Sequence, residues 1–296
     1  MKRLVLTIPV IILCVTCTTL PLRAQWLPRN FTADTSLRAE YLLGTQTLAS
    51  YNNNILNTPN PLQLLRTDFK DNLFVLDGVA EVTPSRTPSL SGRARGSVSI
   101  FNPTKTIILP QGPGGTELSS PITPKFWFWE AAGLYNFYEN IYRYSLVGGY
   151  RQDTWSYPSS NQGTSSYFQQ SFVSQIPFIG LQTLMCCPTW KARFEILGSL
   201  FEARKVCFSA RDQAATMQLD GNLSEGGFLE LQAEGNVNIS PVTWAGLYVQ
   251  YTYESLRGQL TGVSPVATGT SYVPTPYNYY TLRNIWILGL NCNVHF

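Results

Sequence analysis

From Thr281 to Phe296 the chain alternates strictly. Trp286, Leu288, Leu290, Cys292, Val294 and Phe296 form one set, and Arg283, Ile285, Ile287, Gly289, Asn291, Asn293 and His295 form the other. A period of two over such a length predicts a β-strand with one apolar face. The same period predicts ten strands in all, at 36–44, 72–83, 90–102, 125–137, 141–152, 168–184, 190–203, 226–239, 242–257 and 281–296. The segment 226–239 is the cleanest: Leu229, Leu231, Ala233, Gly235, Val237 and Ile239 alternate with Glu230, Gln232, Glu234, Asn236 and Asn238. In 168–184 neither parity is clean and Pro177 removes a ladder donor, which predicts a bulge or bend there.

The connections sort by length. Those at 84–89, 138–140, 185–189 and 240–241 are short, whereas 45–71, 103–124, 153–167, 204–225 and 258–280 are long and rich in Asn, Ser, Thr, Gly and Pro. Long and short connections alternate, as in an up-and-down antiparallel barrel that crosses a membrane, with short periplasmic turns and long extracellular loops. Ten strands are expected over 36–296, with eight or twelve as alternatives, the latter if 62–70 pairs separately from 72–83. Trp127 and Trp129 share a parity with Tyr135 and Phe137, which suits aromatic girdles at the two interfaces; a carbohydrate platform is the alternative for the Trp pair.

With the apolar parity facing lipid, the other parity fills the lumen with charge. Arg38, Arg93, Arg95, Arg143, Arg151, Lys191, Arg193 and Arg283 meet Glu40, Asp77, Glu81, Glu130, Glu195, Glu230, Glu234 and Glu254. Long side chains of opposite sign in a barrel little wider than its own contents predict a largely plugged interior. Height and parity predict three ion pairs, Glu81 with Arg93, Arg193 with Glu234 and Glu254 with Arg283. Both the Asn-rich stretch Tyr51-Asn52-Asn53-Asn54 and Tyr277-Asn278-Tyr279-Tyr280 fall in expected loops and suit adaptable surface recognition.

Composition narrows the partners. Met1-Lys2-Arg3, the apolar run 4–16 and Leu22-Arg23-Ala24 read as a secretory signal peptide over 1–24, followed by a short periplasmic lead-in at 25–35. The formal charge of +3 belongs to that leader: without Lys2, Arg3 and Arg23, eighteen of the 21 basic residues remain, against 18 acidic ones. No nucleic-acid partner is implied. No other stretch is long and apolar enough for a transmembrane helix. Of Cys186, Cys187, Cys207 and Cys292, at most one pair is expected to bond, the adjacent Cys186-Cys187. No metal or cofactor constellation appears, and the only histidine, His295, lies at the periplasmic end of the last strand.

The closing strand resembles that of Gram-negative outer-membrane β-barrels, in which a terminal aromatic is a hallmark. The resemblance implies an integral outer-membrane protein whose Trp286, Leu288, Leu290, Val294 and Phe296 form the signature read by the outer-membrane assembly machinery. Outer-membrane lipid and lipopolysaccharide are then the surroundings, and an extracellular ligand at the loops is an open possibility. Ten strands at this length are similar to the omptin proteases in size only. Those enzymes need an acidic pair and an Asp-His couple at the extracellular rim, and this chain has no histidine there. A base built from Glu254 or Asp153 would be needed for any hydrolase. The expectation is therefore a non-enzymatic structural or surface-binding barrel, with a narrow porin and then a histidine-free outer-membrane hydrolase as alternatives.

Overall fold

The computed structural model describes residues 30–50, 66–109, 118–139, 141–158, 167–212, 215–263 and 275–295. The expected leader lies outside them, as do Gln25 to Arg29 of the lead-in, the stretch 51–54 and Phe296. In chain order the strands are β1 (Phe31–Ser50), β2 (Arg66–Pro84), β3 (Leu90–Phe101), β4 (Lys105–Leu109), β5 (Leu118–Ile122), β6 (Lys125–Glu139) and β7 (Tyr142–Pro158). They continue as β8 (Tyr167–Cys186), β9 (Trp190–Ser199), β10 (Ala203–Asp212), β11 (Ala215–Ser240), β12 (Thr243–Val263) and β13 (Thr275–His295).

Strands β4 and β5 form a separate hairpin. All others belong to one antiparallel sheet in which β9 and β10 lie end to end between β8 and β11. Pairing of β1 with β13, from Asp34 opposite His295 to Ser50 opposite Tyr279, closes the sheet. The wall therefore has ten positions. Residues 66–84 are one continuous strand, so twelve strands are excluded, and the first strand begins at Phe31, inside the expected lead-in.

Most strands extend past their expected long-loop ends, and the reason is a change of solvent. In the half near the short turns, apolar side chains face out and polar ones face in. On β12, Leu247 and Tyr253 are exposed while Gln250, Thr252 and Glu254 are buried. Farther up the same strand, Leu256 and Leu260 are fully buried, and Arg257 and Gln259 are exposed. The geometric parity never changes, but the apolar parity does. β2 behaves alike, with Phe74 exposed and Asp77 and Glu81 buried below, and Phe69 and Leu73 buried beneath exposed Asp68 and Lys70 above. The lower half is dressed for hydrocarbon and the upper half for water.

This inversion builds an apolar core inside the upper barrel. Leu42, Leu48, Phe69, Leu73, Trp155, Phe172, Val206, Leu223, Leu256, Leu260 and Tyr279 belong to one buried cluster, and Ile122 at the end of the β4–β5 hairpin joins it. Two sequence readings are corrected here. The expected loop 204–225 is mainly strand, β10 and the start of β11, and the expected recognition stretch 277–280 lies in β13, where Tyr279 is fully buried.

The expected irregularity at Pro177 falls on a neighbour instead. β8 is continuous and keeps register with β7, Tyr150 opposite Pro177. On its other side, pairing stops at Ile179–Gly198 and resumes at Gln175–Ala203, so four residues of one strand face three of the other. The interruption of strand pairing at 200–202 absorbs the missing proline donor. Leu200 and Phe201, 79% and 81% exposed, turn outward while Glu202 turns in. At similar height β11 bulges between Leu223 and Glu225. Gly226 there has φ +145, and a Cβ would meet the Ser255 carbonyl oxygen at 1.9 Å. Only glycine fits that position.

Candidate functional site: the barrel lumen

Inward parity comes from the pleat, so the residues that can meet are those whose strands place them at one height. The sixteen charged residues read from the sequence all face the lumen. Thirteen of them are buried, and Arg143, Lys191 and Arg193, nearest the periplasmic mouth, are partly exposed.

Eleven polar side chains form a hydrogen-bonded and ionic chain across the lower lumen. Arg93 holds Glu195 at 2.5 Å and Glu130 at 2.9 Å. Arg151 bridges Glu130 and Glu230, each at 2.6 Å. Gln250 donates to Glu230 at 2.7 Å and accepts from Arg95 at 3.1 Å. Arg95 then reaches Asp77 at 2.7 Å, Asp77 faces Arg38 at 3.3 Å, and Arg38 reaches Glu234 at 2.8 Å. Arg193 ends the series 4.0 Å from Glu234. Because Glu195 and Arg193 both lie on β9, the chain begins and ends on one strand. The Arg38 guanidinium also lies 4.1 Å from the centre of the Tyr248 ring, a favourable cation–π arrangement.

Glu40 stands apart in this layer. Its side chain has no exposure, its nearest cation is Arg95 at 3.9 Å, and neither carboxyl oxygen accepts a hydrogen bond.

A second cluster lies above. Arg283 contacts Asp153 at 2.7 Å and also Glu254, as the heights of the two strands predict. Arg204 contacts Glu254 as well and lies 3.5 Å from Glu202. Its remaining donors reach Ser174 at 2.8 Å and Thr281 at 3.3 Å. Asp153, Glu202 and Arg204 were absent from the expected network because they lie past the expected strand end on β7 and inside or beyond the break before β10. Parity alone could have found Asp153, two residues past Arg151. No such signal existed for Arg204, because the extra residue at the break reverses the count.

The expected Glu81–Arg93 pair does not form. The two are opposite in register, yet the Glu81 carboxylate goes to Arg143 at 2.7 Å while Arg93 is taken by Glu130 and Glu195. Cross-strand neighbours share a height, but long side chains reach across the lumen to more distant walls. Nor is there a Cys186–Cys187 bond: all four cysteines among the described residues are free thiols. At the periplasmic mouth, outside the lipid-facing belt, His295 Nδ1 lies 2.8 Å from Asp34 Oδ1. That hydrogen bond raises the imidazole pKa above its ordinary value.

Small space remains between the charged and apolar layers. One cavity, lined by Phe128, Arg151, Asp153, Trp155 and Arg283 among others, has a volume of about 20 Å³, enough for roughly one water. Of the C-terminal signature, Trp286 and Leu288 are exposed on the outer wall, Leu290 and Val294 are partly covered there, and Phe296 is outside the described residues. The outer wall also exposes Trp127, Trp129, Tyr135 and Phe137.

No protein-family model matches the sequence, and no curated protein matches it. Solved structures do match. The outer-membrane protease OmpT from Escherichia coli aligns at a TM-score of 0.69 and 13% identity, over 91% of this chain and 97% of that one. The fold is that of a Gram-negative outer-membrane β-barrel. The translocator domain of the autotransporter NalP from Neisseria meningitidis aligns at a TM-score of 0.40 and 8% identity, over 93% of this chain and 92% of that one. The toluene transporter TodX from Pseudomonas putida aligns at 0.33 and 10%, over 94% and 93%. A closed barrel leaves no sheet edge unsatisfied in hydrocarbon, and with its apolar outer belt this barrel is integral to the outer membrane.

Proposed function

We propose that this outer-membrane barrel has a closed lumen and works at the cell surface, as a structural element or a binding scaffold, and not as an enzyme or an open pore. The observation that carries this reading is the filling of the lumen by two unlike layers, a cross-linked charged layer within the membrane and an apolar core above it. The second layer occupies the extracellular end, where a surface hydrolase would need an open polar cleft. The one histidine lies at the opposite mouth, so the Asp-His couple expected of an omptin-like protease has no counterpart at that end. Glu254 and Asp153, the bases considered for a hydrolase, are engaged by buried arginines.

The working end is then the rim above the apolar core, where β1, β7 and β12 end at Ser50, Pro158 and Val263. Outer-membrane lipid and lipopolysaccharide would surround the belt, and the assembly machinery would read the C-terminal strand. Planar-bilayer conductance of the purified barrel tests the closed lumen. Silence is the expected result, and stable unitary steps would replace this reading with that of a narrow channel.

A further inference from the structure

The upper cluster has an imbalance that its packing does not resolve. Three carboxyls, Asp153, Glu202 and Glu254, meet two guanidiniums, Arg204 and Arg283, and no side chain of the five is more than 6% exposed. Both Arg283 and Arg204 are committed to Glu254, and Arg283 also to Asp153. Glu202 is left with Arg204 at 3.5 Å, and neither of its oxygens accepts a hydrogen bond. Its Oε1 and the Glu254 Oε1 both approach the same nitrogen, Nη2 of Arg204, which sets the two carboxyls side by side.

Two carboxylates side by side inside a low-dielectric interior, with one guanidinium nitrogen between them, cannot both be ionised without a large penalty. The groups facing the pair are Asp153 on β7, Arg204 on β10 and Arg283 on β13, with Ser174 and Thr281 neutral; around them stand Arg151 beside Asp153, and the Tyr157 phenol, which donates to the buried Asp71 of β2 at 2.7 Å. We propose that Glu202 and Glu254 bind one proton between them, and that this shared proton pins the break at 200–202 to the inside of the barrel wall.

The location gives the proton a structural consequence. The segment 200–202 lacks the ladder bonds that hold the rest of the wall, because it faces Pro177 on β8. Leu200 and Phe201 point outward, so the inward side-chain attachment of this segment is Glu202, beside a local hydrogen bond from the Phe201 N–H to Ser199 Oγ at 3.2 Å. Loss of the proton would place two anions side by side and push Glu202 away from Glu254. The break would loosen while the ladders above and below it remained paired. The native state binds a proton that the unfolded chain releases near neutral pH, so stability should fall as pH rises.

The test compares the full-length folded barrel with its Glu202→Gln variant, whose amide can donate to Glu254 without a proton equilibrium. Unfolding is followed in denaturant from about pH 5 to about pH 9, and one linked proton allows up to about tenfold change in the unfolding constant per pH unit. Both proteins carry Glu40→Gln, which removes a second buried carboxyl that accepts no hydrogen bond and has no cation closer than 3.9 Å. The parent with Glu202 should lose stability as pH rises, and Glu202→Gln should remove that slope, apart from the small part His295 contributes, while folding normally at low pH. The infrared carbonyl band of a protonated carboxylic acid should be present in the parent at neutral pH and lost in the variant. If Glu202 is instead an ordinary carboxylate paired with Arg204, the acid band is missing in the parent, or the variant keeps the parent's slope; either overturns the proposal. Should Glu202→Gln fail to fold, the band in the parent alone decides, since it must disappear as pH is raised if the proton is there. Conductance is not used, so failure here is separate from failure of the closed-lumen reading.

Discussion

Arg151 touches Glu130 and Glu230 at 2.6 Å each, and Glu130 also serves Arg93 at 2.9 Å. Removing one carboxylate from such a junction leaves two buried guanidiniums short of a partner, whereas removing one with no donor near it leaves nothing unpaired. Glu130→Gln should therefore lower stability by about 3–5 kcal/mol, and Glu40→Gln by less than about 1 kcal/mol, read from denaturant midpoints of the heat-modifiable folded band. Equal losses would show that Glu40 is a full member of the ionic chain. At the mouth, His295 and Asp34 stand 47% and 44% exposed, so screening keeps their effect on stability small. The sign is still fixed: a raised imidazole pKa in the folded state contributes below the unfolded value and is lost as pH rises through the folded one. Asp34→Asn should bring the His295 titration, followed by NMR, back down toward its ordinary range. These pairings were only partly legible in the sequence. Parity announced that Arg93 and Glu81 both point inward, but which wall a long side chain reaches depends on the bore and on its competitors.

At the scale of a strand, the informative feature is that the two faces exchange character part-way up. On β12 and β13 the pleat is unbroken and the apolar parity flips, whereas on β11 the bulge between Leu223 and Glu225 shifts the pleat and the apolar residues stay on odd numbers. Several expected segments stop where an apolar-out rule stops working: β12 is expected to 257 and runs to Val263, β11 is expected from 226 and begins at Ala215, and β13 is expected from 281 and begins at Thr275. In each case the chain crosses from hydrocarbon into water, and the inner and outer faces exchange character. The inversion predicts opposite sensitivities on one strand. Leu260→Ala, in the buried upper core, should cost about 2–5 kcal/mol, while Leu247→Ala, 67% exposed on the lipid face, should cost much less. In the membrane half of β11 the rule takes its other form. Ala233→Arg on the outer wall should lose about 2–4 kcal/mol, and Gln232→Arg on the inner wall should reach polar neighbours and fold in far higher yield. If urea titrations in lipid vesicles gave the two arginine variants equal stability, the membrane would not lie where the outer belt places it.

For the whole molecule, the closed-lumen proposal has the two layers acting in series. A ten-stranded wall leaves only modest room inside, and β11, with 26 residues, is roughly 85 Å along its axis, far more than a bilayer core of about 30 Å requires. The excess height houses the apolar core, which the charge count in the sequence could not foresee because the plug expected there was ionic alone. An ion would have to pass both layers, so removing one should not be enough. Arg95→Ser with Glu230→Ser would open polar space in the charged layer yet leave Leu48, Leu256, Leu260 and Tyr279 packed above it. That double variant should stay silent in planar bilayers. Adding Leu256→Ser and Leu260→Ser should produce conducting steps, provided the four-site variant still runs as a folded band. Steps from the charged-layer variant alone would mean that the apolar core does not seal, and the lumen would then be gated by its ion pairs as in a narrow channel.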